Sequence, residues 1–409
     1  NGLGLQARDG LTLTQNVNAG SGTIFLGSDS NQDGIGTLTV AAGRSVTTSN
    51  TVHVTDSLGG TTGSVALFVR AADVDLQGSL NVGSDGDIFV TVNNAGGTIG
   101  VGTTSGQLTI DNGELSRMNA VVGASGNGGV RGLGFNLAPV QGALFAEGVN
   151  LGGRKLALTG STVEWTGNGT AAVTGSGLST ERLAVRSTSG AIGSTNGGFR
   201  IQDVGHYTTR GSAGNDVTIQ DIGSTTVVIR QITTGGAGNV TFNKASGNVI
   251  LERGSGFLAT NGQISTTGAV ALSANAGSIT QDVSSPTPVV AGSLATVSAT
   301  GTSLTAAGNV ISSSFSATNS TSGAISISQT GALSLGNISQ AGGGALNVIA
   351  TGAITQTGII SSNGSVLFDT SASALSIGSV SVTSGGSGAL LIGAGSQIAG
   401  DFTLNAGSR

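Results

Sequence analysis

Apolar and small polar residues alternate in short runs along this chain. Val240/Phe242, Ile325/Ile327, Leu333/Leu335 and Phe402/Leu404 each flank a single Ser or Thr. A period of two places alternate side chains on opposite faces of a strand, and no 3.6-residue stripe competes with it. Ser, Thr, Val and Ile favour extended backbone, and each frequent Gly costs a helix about 1 kcal/mol. The runs are short and end in turn-forming pairs such as Asn-Gly, Gly-Gly and Ser-Gly, so the pattern predicts many short strands joined by tight turns.

The strands recur in a fixed order. A unit of Gly, a small residue, then apolar, variable, apolar appears as Gly268-Ala269-Val270-Ala271-Leu272, Gly323-Ala324-Ile325-Ser326-Ile327, Gly344-Ala345-Leu346-Asn347-Val348, Gly364-Ser365-Val366-Leu367-Phe368 and Gly388-Ala389-Leu390-Leu391-Ile392. Its spacing of about 20–24 residues is that of a solenoid, shorter than a propeller blade, and the Leu-x-Leu-x-x-Asn signature of leucine-rich repeats is missing. The predicted fold class is all-β: a parallel β-helix (β-solenoid) with about 20–24 residues per rung, one elongated body over 1–409. At the ~4.8 Å strand spacing, ~19 rungs would make a rod ~90 Å long, with Val, Ile, Leu and Phe stacked inside and no need for large aromatics.

Composition agrees with this reading. Gly accounts for 73 of 409 residues, Pro for 3 and Cys for none, which excludes collagen, proline-rich linkers, disulfide frameworks and Cys-ligated zinc. Charged residues are only 9% and the net charge is −5, with no run of Lys or Arg, so nucleic acid is not an expected partner. No stretch of 18 apolar residues is present, so no transmembrane segment is expected. The first residue is Asn1, read as a processed or excised start, with any export signal upstream. Beyond residue 253 the only charges are Asp282, Asp369, Asp401 and Arg409. The expected organisation is therefore more charged, less regular rungs over 1–235, with loop excursions notably across 111–190, and regular, nearly uncharged Gly/Ser/Thr-rich rungs over 236–409.

The blocks GAVALSANAGSITQ at 268–281 and GALNVIATGAITQ at 344–356, with GNVTF at 238–242, resemble the rod repeats of filamentous-haemagglutinin-like large exoproteins, which belong to the two-partner secretion family. The stretch IGVGTTSGQLTIDNGELSRMNAVVGASGNGG at 99–129 looks like another such unit, with Glu114-Leu115 between two strands. The resemblance implies a right-handed coil, export and a place at the bacterial outer surface. It does not extend to the Asn-Pro-Asn motifs of a secretion domain, since no Asn-Pro occurs here.

Several residues invite chemistry. Asp29-Ser30-Asn31-Gln32-Asp33-Gly34 opens like a calcium loop, with oxygen ligands at alternate positions, yet the twelfth position is Val40 rather than a bidentate acid. Asp29, Asn31 and Asp33 are thus a calcium candidate or a polar turn between rungs, and Asp85-Gly86-Asp87 is a weaker one. Asp73 and Asp75 should share the outward face of one strand, where paired carboxylates serve glycoside hydrolysis or simply meet solvent. His53 and His206 are the only histidines. His206-Tyr207 with Arg200, Asp203 and Arg210 forms the densest polar cluster, read as a recognition patch or a salt-bridged loop. Trp165 beside Glu164 could stack a sugar or cover an edge. The Gly-rich stretches at 123–134 and 342–344 lack the Lys-Ser/Thr of a phosphate loop and read as turns.

The expected function is a non-enzymatic bacterial cell-surface or secreted rod or adhesin segment, extracellular and without a cofactor beyond calcium at Asp29. Its partners would be a host or neighbouring-cell surface, a glycan or sister rods. The alternatives are a self-assembling structural filament subunit and a polysaccharide-active β-helix enzyme.

Overall fold

The computed structural model describes residues 2–53, 65–92, 94–120, 129–132, 142–167, 171–178, 181–253, 262–370, 373–382, 390–392, 397–398 and 403–406. The protein is all-β, 52% strand and 2% helix, with parallel sheets forming a β-solenoid of about 14 turns. Two compact units divide the described residues: one holds 2–212 and 217–219, the other 213–216 and 220–406.

In the second unit each regular turn supplies three short strands, one to each of three parallel ladders. Ile325–Gln329 pairs with Leu346–Ala350, which pairs with Val366–Asp369 and then Leu390–Ile392. Leu333 pairs with Ile354 and Ile354 with Leu375, while Ile338 pairs with Ile360 and Ile360 with Val380. The alternation read from sequence is the in-and-out alternation of the ladders. Ile325, Ile327, Leu333, Leu335, Leu346 and Val348 are all buried, and each such side chain contributes about 1.5–3 kcal/mol relative to exposure.

The recurring Gly has a physical cause. Gly344 lies against the preceding turn so closely that a Cβ there would meet the Gly323 carbonyl oxygen at 2.0 Å, and a Cβ at Gly364 would meet the Gly344 carbonyl oxygen at 2.1 Å. This corner admits no side chain.

The first unit builds several ladders, among them one of Leu108–Ile110, Ile99–Gly102, Leu144–Glu147 and Val163–Glu164. The longest runs through Gly2–Gln6, Thr23–Gly27, Leu67–Ala71, Asp87–Val92, Gly129–Gly132, Lys155–Gly160, Arg182–Ser187 and His206–Gly211. Leu11–Leu13, Thr37–Val40 and Asp73–Leu76 form another, and Val17–Asn18, Ser45–Thr47, Ser79–Asn81 and Met118–Asn119 a further one.

The turn count corrects the expected ~19, because turn length is not uniform. Ile24 pairs with Leu67 and Ile88 with Val130, steps twice the length of that from Leu67 to Ile88. Even in the second unit Val240 pairs with Val270, a longer step than the one from Leu294 to Phe315. The 20–24-residue spacing holds for the later turns and for single steps of the first unit, such as Gly2 to Thr23, Leu67 to Ile88 and Arg182 to His206. The excursions expected across 111–190 fall in part outside the described residues, at 121–128, 133–141, 168–170 and 179–180.

Two local features depart from a purely aliphatic, helix-free coil. Asn112–Ser116 is one helical turn, started by a reciprocal capping box in which Asp111 accepts from the Glu114 N–H and Glu114 accepts from the Asp111 N–H. Phe25, Phe68 and Phe89 occupy adjacent positions in the long ladder, with ring centroids 5.7 and 5.0 Å apart. The Arg70 guanidinium lies 5.4 Å from the Phe25 ring centre, so aromatic stacking and a cation–π contact reinforce these turns.

Candidate functional site

The calcium candidate folds as a turn that consumes its own carboxylates. Asp29 is fully buried, and its two carboxylate oxygens accept the backbone N–H groups of Asp33 at 3.2 Å and Gly34 at 3.1 Å. Asn31 and Asp33 are exposed and bound to each other, the Asn31 amide donating to Asp33 at 2.6 Å, while the other Asp33 oxygen accepts from the Ile35 N–H. Gln32 and Gly34 carry positive φ, 64° and 82°, which turns the chain sharply around Asp29. Burial raises the Asp29 carboxyl above its ordinary value, against the lowering effect of those N–H groups. Among the described residues no three of His, Cys, Asp and Glu gather where a metal could sit. At the second candidate, Asp85 adopts a left-handed turn conformation, φ 69°, and Asp87 is fully buried.

Asp73 and Asp75 lie on one face of their strand, alternating with buried Val74 and Leu76. Each is engaged locally: Asp73 accepts from the Thr109 N–H at 3.0 Å, and Asp75 from the Gln77 amide at 3.0 Å. The nearby buried acid is Glu114, whose carboxylate accepts from Leu76 N–H at 2.9 Å as well as from Asp111. Burial raises the Glu114 carboxyl, with Asp111 and Asp73 adding like-charge repulsion. The helical turn therefore ties its carboxylate to the neighbouring ladder through backbone donors.

The Trp165 region is a closed knot. Trp165 is 5% exposed, its indole N–H donates to the Ala171 carbonyl at 3.0 Å, and the Arg200 guanidinium covers the ring at 3.9 Å from its centre. Glu164 is buried too, accepting from the hydroxyls of Ser194 at 2.6 Å and Thr195 at 3.1 Å. A sugar cannot stack on a ring face that an arginine already occupies, so of the two expectations for Trp165 the geometry matches the covering one.

The residues expected to cluster around His206 have different surroundings. Tyr207 points into the core and is fully buried, which raises its hydroxyl pKa. Arg200 stacks on Trp165, and Arg210 is exposed, paired in register with Arg186, whose own pKa is lowered to about 10 by burial and by Arg210. His206 is buried within its strand, and His53 places its Nδ1 3.1 Å from the Thr51 carbonyl oxygen.

Sequence reading missed the polar interior of the second unit. Lys244 and Asp221 form an ion pair of 2.8 Å with both side chains fully buried, and Lys244 also donates to the Gly223 carbonyl. Farther along, Gln281 donates to Asn309 at 2.7 Å, and Asn309 donates to Gln281, Leu304 and Ser328 oxygens. Asn319 donates to Gln340 at 2.8 Å and to the Ser322 and Gly323 carbonyls. These groups satisfy corner carbonyls that would otherwise be buried without partners. The signal was present: in Ile279-Thr280-Gln281, Ile325-Ser326-Ile327-Ser328-Gln329 and Ile338-Ser339-Gln340, period two assigns the Gln to the inward side.

Taken together, these polar groups hold turns, corners and neighbouring strands. Comparison of the chain with protein families, with curated proteins and with solved structures finds no match. No helix among the described residues is long and apolar enough to cross a membrane.

Proposed function

We propose that the chain is a non-enzymatic structural segment of a bacterial surface or secreted protein, a stiff spacer that presents or itself forms an adhesive face. The single observation that supports this reading is how the polar side chains are used. Asp29, Asp73, Glu114, Glu164, Lys244 and Asn319 all bond to backbone or to neighbouring structural side chains. Between them many outward positions of the later ladders are small and uncharged, as at Ser273, Ser316, Ser326, Ser334 and Ser339, interspersed with a few exposed apolar side chains such as Val297, Ile349 and Leu391. Such a face offers many weak hydrogen bonds and little electrostatic attraction, which suits contact with a neutral glycan or another cell-surface polymer. The likeness of its repeats to filamentous-haemagglutinin-like exoproteins supports the extracellular assignment and two-partner export.

The test is binding of the purified protein to arrayed glycans and to whole cells at low and high salt, with reducing-end release measured in parallel. Binding that persists at high salt without cleavage is expected. Release of new reducing ends would replace this reading with the enzymatic one, and regular fibres in electron micrographs would replace it with the filament one.

A further inference from the structure

The enclosed Asp221–Lys244 pair has no chemical task in the reading above, and a solenoid poses a problem that such a pair solves. Inward apolar positions of successive turns are interchangeable. Val240 and Phe242 pair in register with Val270 and Leu272, and these with Leu294 and Thr296. A folding chain could therefore dock 270–274 where 240–244 belongs, skipping a turn, and still bury comparable side chains. The polar column is different at each level. Lys244 is followed by Ala274, Ser298, Asn319, Gln340 and Ser362 at the same register position. If 270–274 took the place of 240–244, Ala274 would face Asp221 and leave its carboxylate buried without a cation, a far worse mismatch than any among the apolar columns.

We propose that the Asp221–Lys244 pair is a register key that fixes which turn follows residue 221 as the second unit winds. Its role is selection among alternative windings rather than net stability, since replacing a buried ion pair by apolar residues of similar volume is often neutral or stabilising. The proposal does not depend on the adhesive reading.

The absence of cysteine from the chain makes a direct test feasible. Gln220 and Asn243 immediately precede the two partners and are not buried, so Gln220→Cys with Asn243→Cys reports the native winding. Gln220→Cys with Ser273→Cys reports the skipped turn. Each pair is placed in the parent and in the Asp221→Leu/Lys244→Met background, the proteins are refolded from denaturant, and cross-links are read by non-reducing electrophoresis and peptide mass. The apolar double variant is expected to fold and to raise the 220–273 link about tenfold over the parent background. A 220–273 link that stays at background while the 220–243 link forms would overturn the proposal. So would loss of both links, because the proposal requires the apolar double variant to fold. Asp221→Leu alone, which leaves Lys244 buried without its partner, is expected to lose the native link, and its retention would count equally against the key.

Discussion

Replacing Gly344 by Ala isolates the steric demand of the solenoid corner. The new Cβ would stand 2.0 Å from the Gly323 carbonyl oxygen, whereas ordinary contact begins near 3.4 Å. The obstacle is backbone of the preceding turn and cannot rotate away, so the two turns must part locally. Two ladder bonds flank the site, Ile325 N–H to the Ala345 carbonyl at 2.9 Å and Leu346 N–H to the Ser365 carbonyl at 2.8 Å. Overpacking and weakening of these bonds together cost about 3–5 kcal/mol. The adjacent Gly343 is the control: its φ is +75°, but nothing lies within 4 Å of its would-be Cβ, so Gly343→Ala bears only the left-handed penalty of about 1–2 kcal/mol. Urea unfolding followed by circular dichroism gives both values, and amide exchange across 325–350 should accelerate only in Gly344→Ala. Equal destabilisation by the two substitutions would show that backbone conformation, not close approach of turns, dictates the repeating glycine.

Other expectations concern the site residues. Burial raises Glu114 above its ordinary 4.5, so the folded state holds that proton more tightly than the unfolded chain. Its contribution favours the fold at low pH and declines as pH rises through the window above 4.5. Glu114→Gln should remove that decline, and a stability profile over about pH 4–7 that the substitution leaves unchanged would refute the assignment. Asp282 is shifted the other way: the Ser284 and Ser285 donors lower its pKa, so its contribution is present above 3.8 and lost as pH falls through the lower folded value, a loss that Asp282→Ala should abolish in acid titration. Asp29→Ala strands two backbone donors and should cost about 1–3 kcal/mol in calcium-free and calcium-containing buffer alike; stabilisation of the parent by calcium but not of the variant would favour the metal reading. Trp165 is the only tryptophan, so emission should be blue-shifted, red-shift in Arg200→Ala, and ignore added glycans.

The ladders were legible because their signal is local. Ile325 and Ile327, or Leu333 and Leu335, lie two apart and face inward, and the glycines at 323, 344 and 364 repeat at the pitch of the later turns. Turn length in the first unit was not legible, since the step from Ile24 to Leu67 depends on how much chain the corners absorb, and nothing in local periodicity measures that. The helical turn at 112–116 was overlooked although Asp111 and Glu114 have the capping-box spacing. At the candidate sites, composition marked Trp165 and Asp29 as unusual but could not tell use from structure. The Arg200 that covers Trp165 lies on a strand far away in sequence, and the donors to Asp29 are its own loop's N–H groups. Lys244 and Asp221 were hidden by the assumption that charge faces solvent, even though both occupy inward parity in their strands.

In the later turns, three ladders advancing together, with corner glycines at 323, 344 and 364, give the second unit an unusual evolutionary freedom. Cutting at Gly344 and rejoining at Gly364 removes a complete lap, and every strand left behind meets a neighbour of the same parity. Unequal recombination between similar laps would therefore lengthen or shorten the protein in whole steps without inventing a new interface. Only the laps bearing a distinctive buried charge or amide would resist such exchange.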